Sequence, residues 1–161
     1  MNIQILDSFL SLENHHMIWE YSKNAEFNII ESDYPNNPPT GKSHNLSLDN
    51  NISKILLNSL NDKSPNLKDK NLYRAYINYF PQGINPYWHQ DGEGYTCLYY
   101  PNLEYNELNE GGETQFLING PEIKGILPIP NRMVVFDGMI YHKANSFRTQ
   151  SRYTIALKFG F

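Results

Sequence analysis

Cysteine is nearly absent from the chain, and long apolar runs are absent altogether. A single cysteine, Cys97, excludes an internal disulfide bond and fits a reducing compartment. No apolar stretch approaches the roughly 20 residues that a membrane-spanning helix requires. The first residues have neither a basic start nor a long apolar run, so we expect no signal peptide. These absences predict a cytoplasmic protein with no membrane partner.

The chain also lacks an excess of positive charge. Its formal net charge is −4, which argues against nucleic acid as a general partner because phosphate backbones attract basic surfaces. Aromatic residues and turn formers are abundant, with twelve tyrosines, eight phenylalanines, ten prolines and ten glycines. Aromatic residues favour strands, whereas proline and glycine favour turns. A chain of 161 residues with this composition is expected to form one β-rich domain with a few helices.

Two helices are predicted in the first part of the chain. The first runs over residues 12–23 after an N-cap at Asp7, Ser8 or Ser11. It is expected to direct four side chains towards the core: Leu12, His16, Met17 and Trp19. The second runs over residues 48–61, where apolar residues recur at helical spacing: Leu48, Ile52, Ile55, Leu56 and Leu60.

Short strands and loops complete the prediction. Strands are expected at residues 3–6 and 27–30, and the proline-rich stretch 34–41 is expected to be a loop with His44 at its end. From residue 72 onwards, turns separate six further expected strands: 72–80, 95–100, 112–118, 122–127, 132–136 and 152–159. We therefore expect a single domain over 1–161, with supporting elements in 1–71 and a sandwich or barrel in 72–161.

His89 and Asp91 form the first part of a candidate metal site. Residues two apart on an extended strand point to the same face, so the imidazole and the carboxylate lie side by side. His142 follows the strand 132–136 and offers a second imidazole. Two histidines and one carboxylate suit Fe(II) and leave coordination positions open. A surface histidine beside a turn aspartate is the alternative, but the distal histidine and Arg152 favour the metal site.

Residues 73–161 resemble the catalytic core of the Fe(II)/2-oxoglutarate-dependent dioxygenases, and most closely the prolyl 4-hydroxylase-like branch. The family motif is His-x-Asp, a distal His, and an Arg or Lys roughly ten residues later. This chain has the same order and spacing in His89, Asp91, His142 and Arg152. Flanking stretches are also similar: Thr96-Cys97-Leu98-Tyr99-Tyr100-Pro101-Asn102, Gly111-Gly112-Glu113-Thr114, Asn131-Arg132-Met133-Val134-Val135-Phe136 and Ser151-Arg152-Tyr153-Thr154.

The resemblance implies a fold, a set of cofactors and a reaction. The fold is mainly β with flanking α-helices around a double-stranded β-helix, a jelly-roll or cupin-like core. The cofactors are Fe(II), 2-oxoglutarate and O2, with ascorbate as an accessory reductant. The reaction releases succinate and CO2 and hydroxylates a C–H bond of a prolyl residue in a peptide or protein, or of a small molecule such as free proline. The resemblance leaves the oligomeric state open.

The resemblance also implies which residues contact 2-oxoglutarate. Arg152 anchors the distal carboxylate, since a guanidinium binds a carboxylate in two-pronged fashion. Tyr100 adds a hydroxyl, although its neighbour Tyr99 competes for that place because only one of them faces the cavity. Thr154 shares a strand face with Arg152, and Leu98 shares one with Tyr100, so both are expected at the pocket.

Some assignments stay open at the level of sequence. The family often has a tyrosine near the co-substrate on the strand before His-x-Asp, and here Tyr79 and Phe80 compete for that position. Arg148 is an alternative to Arg152 as the carboxylate anchor. The mouth of the pocket is expected to involve loops 34–44, 81–87 and 103–110. Glu104, Glu107 and Glu110 in the last loop would disfavour acidic substrates.

Two alternative functions are consistent with the same sheet. A nucleobase-repair dioxygenase would have an Arg-x-Asn-x-x-x-x-Arg stretch, whereas here only Lys158 follows Arg152 on the last strand. A non-catalytic jelly-roll binding module would not need the metal-binding residues or Arg152. The sequence therefore favours the hydroxylase over both alternatives.

Overall fold

The structure, a computed structural model, describes residues 3–33 and 36–160. Within these ranges the helices are α1 (Leu12–Asn24), α2 (Asn51–Lys63) and a short 3-10 helix (Pro65–Leu67). The strands are β1 (Gln4–Leu6), β2 (Ile29–Glu31), β3 (Gly41–Leu46), β4 (Asn71–Phe80), β5 (Tyr95–Tyr99), β6 (Thr114–Leu117), β7 (Ile123–Ile126), β8 (Met133–Asp137), β9 (His142–Ala144) and β10 (Arg152–Gly160). Neither described α-helix is both long and apolar enough to cross a membrane.

The strands form two antiparallel sheets. The large sheet has seven strands in the order β1-β8-β5-β10-β4-β3-β2, and the small sheet has three in the order β7-β6-β9. Phe116 and Ile126 of the small sheet pack with Tyr76, Leu98 and Val134 of the large sheet. The small sheet therefore covers one face of the large sheet. This mainly β architecture with its two helices confirms the predicted double-stranded β-helix core.

Strand β10 lies in the middle of the large sheet, hydrogen-bonded to β4 and β5. Successive side chains of a strand point to opposite faces. Leu157 and Phe159 belong to the apolar cluster beneath the helices. Arg152, Thr154 and Lys158 instead line a cavity between the two sheets. One strand thus contributes both to the core and to the cavity.

Helix α2 covers the outer face of the large sheet. Ile52, Leu56 and Leu60 are buried there, as their helical spacing predicts. The helix begins later than expected because the Asn50 side chain caps it, accepting a hydrogen bond of 2.7 Å from the backbone N–H of Ile52. Leu48 consequently lies before the helix and is exposed.

Helix α1 has the predicted N-cap but presents a different face to the core. The hydroxyl of Ser11 accepts a hydrogen bond from the backbone N–H of Asn14, as expected of a cap. The prediction that Leu12, His16 and Met17 point inwards is wrong, because the buried positions are His15, Ile18 and Ser22. Trp19 is half-buried and packs edge-to-face on Tyr153 at a centroid distance of 5.3 Å, so its prediction is partly confirmed. Leu12 is 75% exposed. A hydrogen bond of 2.5 Å between His15 Nδ1 and the Tyr99 hydroxyl orients the helix with a polar side chain inside.

The proline-rich segment agrees only in part with its prediction. Tyr34 and Pro35 lie outside the described residues, and residues 36–40 form turns and irregular structure. His44 does not end this loop, because it lies within β3, where it pairs with Ile77. Its ring nitrogens hydrogen-bond to the Glu26 carbonyl and the Tyr21 hydroxyl.

Candidate active site

His89 and His142 are brought together by an antiparallel bridge between two distant parts of the chain. The backbone N–H of His89 donates to the His142 carbonyl at 3.0 Å, and the reverse hydrogen bond is 2.9 Å long. The imidazole centroids lie 4.4 Å apart. Phe116, paired with His142 across the small sheet, supports this arrangement from behind. Backbone pairing therefore juxtaposes the two rings.

Asp91 enters the same site from the loop that follows His89. Its backbone N–H donates to the Gly138 carbonyl at 2.8 Å, which holds this loop against the end of β8. A Cβ on Gly138 would lie 2.4 Å from the Gly92 carbonyl oxygen, so the close approach requires glycine at this position. One ligand atom from each of His89, Asp91 and His142 lies within 4.8 Å of the others.

Hydrogen bonds orient both imidazoles. His89 Nδ1 lies 3.0 Å from the Tyr87 carbonyl oxygen, and His142 Nδ1 lies 2.8 Å from the Ile140 carbonyl oxygen. Carbonyl oxygens only accept hydrogen bonds, so Nδ1 carries the proton and Nε2 keeps its lone pair. Asp33 lies 3.3 Å from His89 Nδ1 and supports the same tautomer. Burial and the neighbouring His142 lower the pKa of His89, which favours the neutral, metal-binding form.

Asp91 is ionised in a crowded polar environment. Burial alone would raise its pKa, but the neighbouring His142 and the charge of the Lys158 ammonium outweigh burial and hold the pKa below the usual value. Thr96 Oγ1 donates to Asp91 Oδ2 at 2.6 Å, and the Lys158 ammonium contacts the same oxygen. A carboxylate and two neutral imidazoles form a donor set that suits a divalent first-row metal such as Fe(II). The residues present therefore fit the predicted ion.

Arg152 is buried beside this cluster without an ionic partner. It is 2% exposed, and burial lowers its pKa. Its Nε donates to the Gly112 carbonyl at 3.0 Å and its Nη2 to Thr114 Oγ1 at 2.8 Å. No carboxylate of the described residues lies within ion-pair distance of it. Since a buried charge is costly when unpaired, this guanidinium is poised for an anionic ligand.

The cavity between the sheets joins the metal-ligand cluster to Arg152. Of the predicted co-substrate contacts, Leu98 and Thr154 line it directly. Tyr100 is buried next to them, and its hydroxyl lies 2.8 Å from Thr114 Oγ1, which also accepts from Arg152. Burial raises the pKa of Tyr100, so its hydroxyl stays protonated. The full lining is Tyr76, Asn78, Phe80, His89, Asp91, Leu98, Thr114, His142, Ala144, Arg152, Thr154 and Lys158.

Tyr79 does not face this cavity, which corrects its predicted role in co-substrate binding. Its ring packs against Phe27 and Tyr153 at centroid distances of 5.3 Å on the outer face of the sheet. Phe80, the next residue, lines the cavity instead. Gly41 makes room for Phe80, since a Cβ at position 41 would lie 2.8 Å from the phenyl ring. The open choice between the two positions is thereby resolved in favour of Phe80.

Five cavity residues were missed in the sequence: Tyr76, Asn78, Thr114, Ala144 and Lys158. Tyr76 and Asn78 share the alternating face of Phe80, and Lys158 shares that of Arg152, so strand periodicity would have identified three of them. Thr114 lies on the small sheet, whose position above the cavity depends on long-range packing.

Arg148 and Glu110 have roles other than those expected. Arg148 is exposed in the loop between β9 and β10 and does not line the cavity. Glu110 is buried rather than at the surface. Its carboxylate accepts hydrogen bonds from the backbone N–H groups of Thr149 and Gln150 and from the Thr149 hydroxyl. It therefore fixes the loop that precedes Arg152 and is not available to repel acidic substrates.

No protein-family model and no curated protein matches the sequence. Solved structures, however, match almost the whole chain. A prolyl hydroxylase from Trichoplax adhaerens, solved in complex with a peptide fragment of the hypoxia inducible factor oxygen degradation domain, has a TM-score of 0.76 at 18% identity, covering 98% of this chain and 83% of its own.

Two further solved structures show the same likeness. The viral collagen prolyl hydroxylase from Paramecium Bursaria Chlorella virus-1, in its 2-oxoglutarate complex, has a TM-score of 0.69 at 14% identity, covering 99% of this chain and 96% of its own. HygX from Streptomyces hygroscopicus, with nickel and 2-oxoglutarate bound, has a TM-score of 0.75 at 9% identity, covering 98% and 82%. These likenesses confirm the predicted resemblance at the level of the fold.

Proposed function

We propose that this protein is an Fe(II)- and 2-oxoglutarate-dependent dioxygenase that hydroxylates a C–H bond. The observation that carries the proposal is the buried, ionically unpaired Arg152 in one cavity with the His89–Asp91–His142 cluster. A metal-ligand cluster alone would fit many metalloproteins. A cluster that shares its cavity with a carboxylate anchor fits a chelating keto-diacid such as 2-oxoglutarate.

The metal would be held by Nε2 of His89, Nε2 of His142 and the carboxylate of Asp91. When bound, Fe(II) would activate O2 with 2-oxoglutarate as the reductant, giving succinate, CO2 and a hydroxylated product. The two histidines contribute neutral donors because their Nδ1 protons are directed to backbone carbonyls. Asp91 contributes the single negative charge of the ligand set, so the site keeps positive charge for an anionic co-substrate.

The distal carboxylate of 2-oxoglutarate would bind at Arg152. The neighbouring hydroxyl groups of Thr114, Thr154 and Tyr100 supply further hydrogen-bond donors around this position. Leu98 and Phe80 line the same cavity with apolar surface. Such a wall excludes water, and exclusion of water strengthens the pairing between the guanidinium and the carboxylate.

A prolyl residue in a peptide or protein is the substrate we propose. The support is the likeness to the Trichoplax prolyl hydroxylase solved with a peptide and to the viral collagen prolyl hydroxylase. We further propose that residues 1–161 act as one domain, since β1, β2 and β3 belong to the same sheet as β10. The unpaired, buried thiol of Cys97 supports a cytoplasmic location.

Succinate release tests the activity. The purified protein is given Fe(II), 2-oxoglutarate and ascorbate with proline-containing peptides, the same peptides with alanine in place of proline, free proline, or single-stranded DNA. We expect proline-dependent succinate release and a peptide product heavier by one oxygen atom in mass spectrometry. His89→Ala should abolish both signals. Equal release by wild type and His89→Ala would refute the metal site, and release with DNA alone would redirect the substrate class.

Loss of the carboxylate anchor should have its own kinetic signature. Arg152→Gln removes the charge and is expected to raise the KM for 2-oxoglutarate by roughly 10- to 100-fold, because hydrogen bonds to charged groups contribute about 1.5–3 kcal/mol. Arg148→Gln is the matched control, since this exposed arginine lies in the adjacent loop and should leave the KM unchanged. An effect of Arg148→Gln that equals that of Arg152→Gln would contradict the assignment.

A further inference from the structure

Lys158 has a position in the metal-ligand cluster that the proposed reaction does not require. It lies near the end of β10 with 6% of its surface exposed, and it lines the cavity. Its ammonium contacts Asp91 Oδ2 and lies 3.1 Å from Thr96 Oγ1. Lys158 and Thr96 are direct cross-strand partners, so the backbone register holds this contact in place.

The charges around Lys158 leave Asp91 as its partner. Arg74 lies directly opposite on β4, and two like charges facing each other across strands destabilise a sheet. Arg74 has its own carboxylate, Glu31, at 3.7 Å. Within residues 3–33 and 36–160, Asp91 supplies the one carboxylate at ion-pair distance from Lys158. The lysine and the aspartate therefore neutralise each other as a buried pair.

A divalent metal ion would disturb this neutral pair. The ion would share Asp91 with the ammonium, so two cations would face one carboxylate in a largely buried site. Their mutual repulsion opposes metal binding, and it is strong because little solvent screens it. An apolar residue at position 158 would remove this repulsion.

Thr96 determines how replacement of Lys158 affects the metal affinity. Its hydroxyl donates to the same carboxylate oxygen as Lys158 and remains when the lysine is replaced. Asp91 would therefore keep its orientation without Lys158, and the charge of the lysine is the main quantity that the replacement changes.

We propose that Lys158 is a built-in counter-cation of the metal site, which balances Asp91 before the metal binds and lowers the metal affinity afterwards. This inference rests on the proposed metal role of His89, Asp91 and His142. It assigns Lys158 to positioning and charge balance, without contact with substrate. Lys158 thereby keeps the site ordered when the metal is absent. It also makes the bound metal ion exchange more readily than it would without the lysine charge.

Calorimetric titration of the metal-free protein with Co(II) tests the proposal without relying on activity. Lys158→Met keeps a long side chain and removes the charge, and we expect it to bind Co(II) at least about tenfold more tightly than wild type. Lys158→Arg keeps the charge and should stay within about twofold of wild type. Arg74→Met removes a cation from the same sheet face that does not contact Asp91, so its effect should be smaller than that of Lys158→Met.

Thermal unfolding supplies a second measurement. Metal-free Lys158→Met should melt below wild type, because Asp91 then lacks its counter-charge, and saturating Co(II) should remove most of this difference. If Lys158→Met fails to fold without metal, Lys158→Gln replaces it in both measurements. Affinity for Co(II) that is unchanged or weaker in the neutral variants would overturn the proposal. Failure of wild type to bind Co(II), or equal binding by His89→Ala, would instead overturn the metal site on which the proposed function depends.

Discussion

The two faces of the large sheet have different chemistry although the same strands form both. The outer face, beneath α1 and α2, is almost wholly apolar and includes Ile77, Leu157 and Phe159. The inner face, beneath the small sheet, includes Arg152 and Lys158 as well as apolar residues. Because neighbouring residues point in opposite directions, each strand can supply stability on one side and a reactive site on the other.

The polar groups on the two faces also differ in how they are satisfied. On the outer face, the Tyr99 hydroxyl hydrogen-bonds to both His15 Nδ1 and Asn131 Oδ1 inside the apolar core. On the inner face, Arg152 and Lys158 are charged, and Arg152 has no carboxylate partner among the described residues. Hydrogen bonds among neutral groups suit a structural role, whereas an unpaired buried cation suits the binding of an anionic ligand. The faces should therefore respond differently to equivalent substitutions.

Removal of one leucine from each face gives the largest expected difference in stability. Leu157→Ala leaves a cavity in a fully buried position under the helices, which should lower the free energy of unfolding by about 2–5 kcal/mol. Leu98→Ala enlarges a cavity that already exists, so it should cost less than half as much. Urea denaturation of both variants measures the two losses, and equal losses would mean that the inner face is packed as tightly as the outer one.

Much of the assignment of side chains to the two faces was predictable from the sequence, because successive residues of a strand alternate between the faces. Arg152 and Thr154 were assigned to one face from their spacing alone, and Leu98 and Tyr100 to another. The same rule could not decide which of Tyr79 and Phe80 faces the cavity. Gly41 on the neighbouring strand accommodates Phe80, and that contact depends on a pairing between β3 and β4 that local sequence does not specify.

The helices show where sequence patterns mislead. Apolar periodicity identified the buried face of α2 because Ile52, Leu56 and Leu60 form a regular stripe. The same reasoning failed on α1, whose inward face contains His15 and Ser22. His15 Nδ1 hydrogen-bonds to the Tyr99 hydroxyl, and the Ser22 hydroxyl donates to the Ile18 carbonyl, so each side chain has a partner in the core. Burial of a polar residue depends on a distant partner, so hydrophobicity alone could not reveal it.

His15 should make stability depend on pH through the outer face. Burial and the neighbouring His16 lower its pKa from 6.5 to about 4. The unfolded chain therefore binds a proton between pH 6.5 and 4 that the folded protein excludes. Stability is fully present above pH 6.5 and falls as the pH drops towards 4, by up to about 3 kcal/mol.

Comparison of variants isolates this contribution. Free energies of unfolding between pH 7.5 and 4.5 should fall less steeply in His15→Gln than in wild type, whereas His16→Gln, at an exposed position, should retain most of the slope. Identical slopes for wild type and His15→Gln would assign the acid sensitivity to other groups. Loss of stability as the pH rises would contradict the sign of the effect.

Tyr99 and Tyr100 allow the comparison with the smallest expected effects, because replacement by Phe removes one hydroxyl group from each face of the large sheet. Tyr99→Phe removes the hydroxyl that contacts His15 Nδ1 at 2.5 Å and Asn131 Oδ1 at 3.0 Å, so stability should fall by about 1–2 kcal/mol. The KM for 2-oxoglutarate should not change. Tyr100→Phe removes the hydroxyl that contacts Thr114, which also accepts from Arg152, and the KM should rise by about three- to tenfold. Urea unfolding and co-substrate kinetics on both variants distinguish the faces, and a KM effect of Tyr99→Phe as large as that of Tyr100→Phe would show that the faces are coupled.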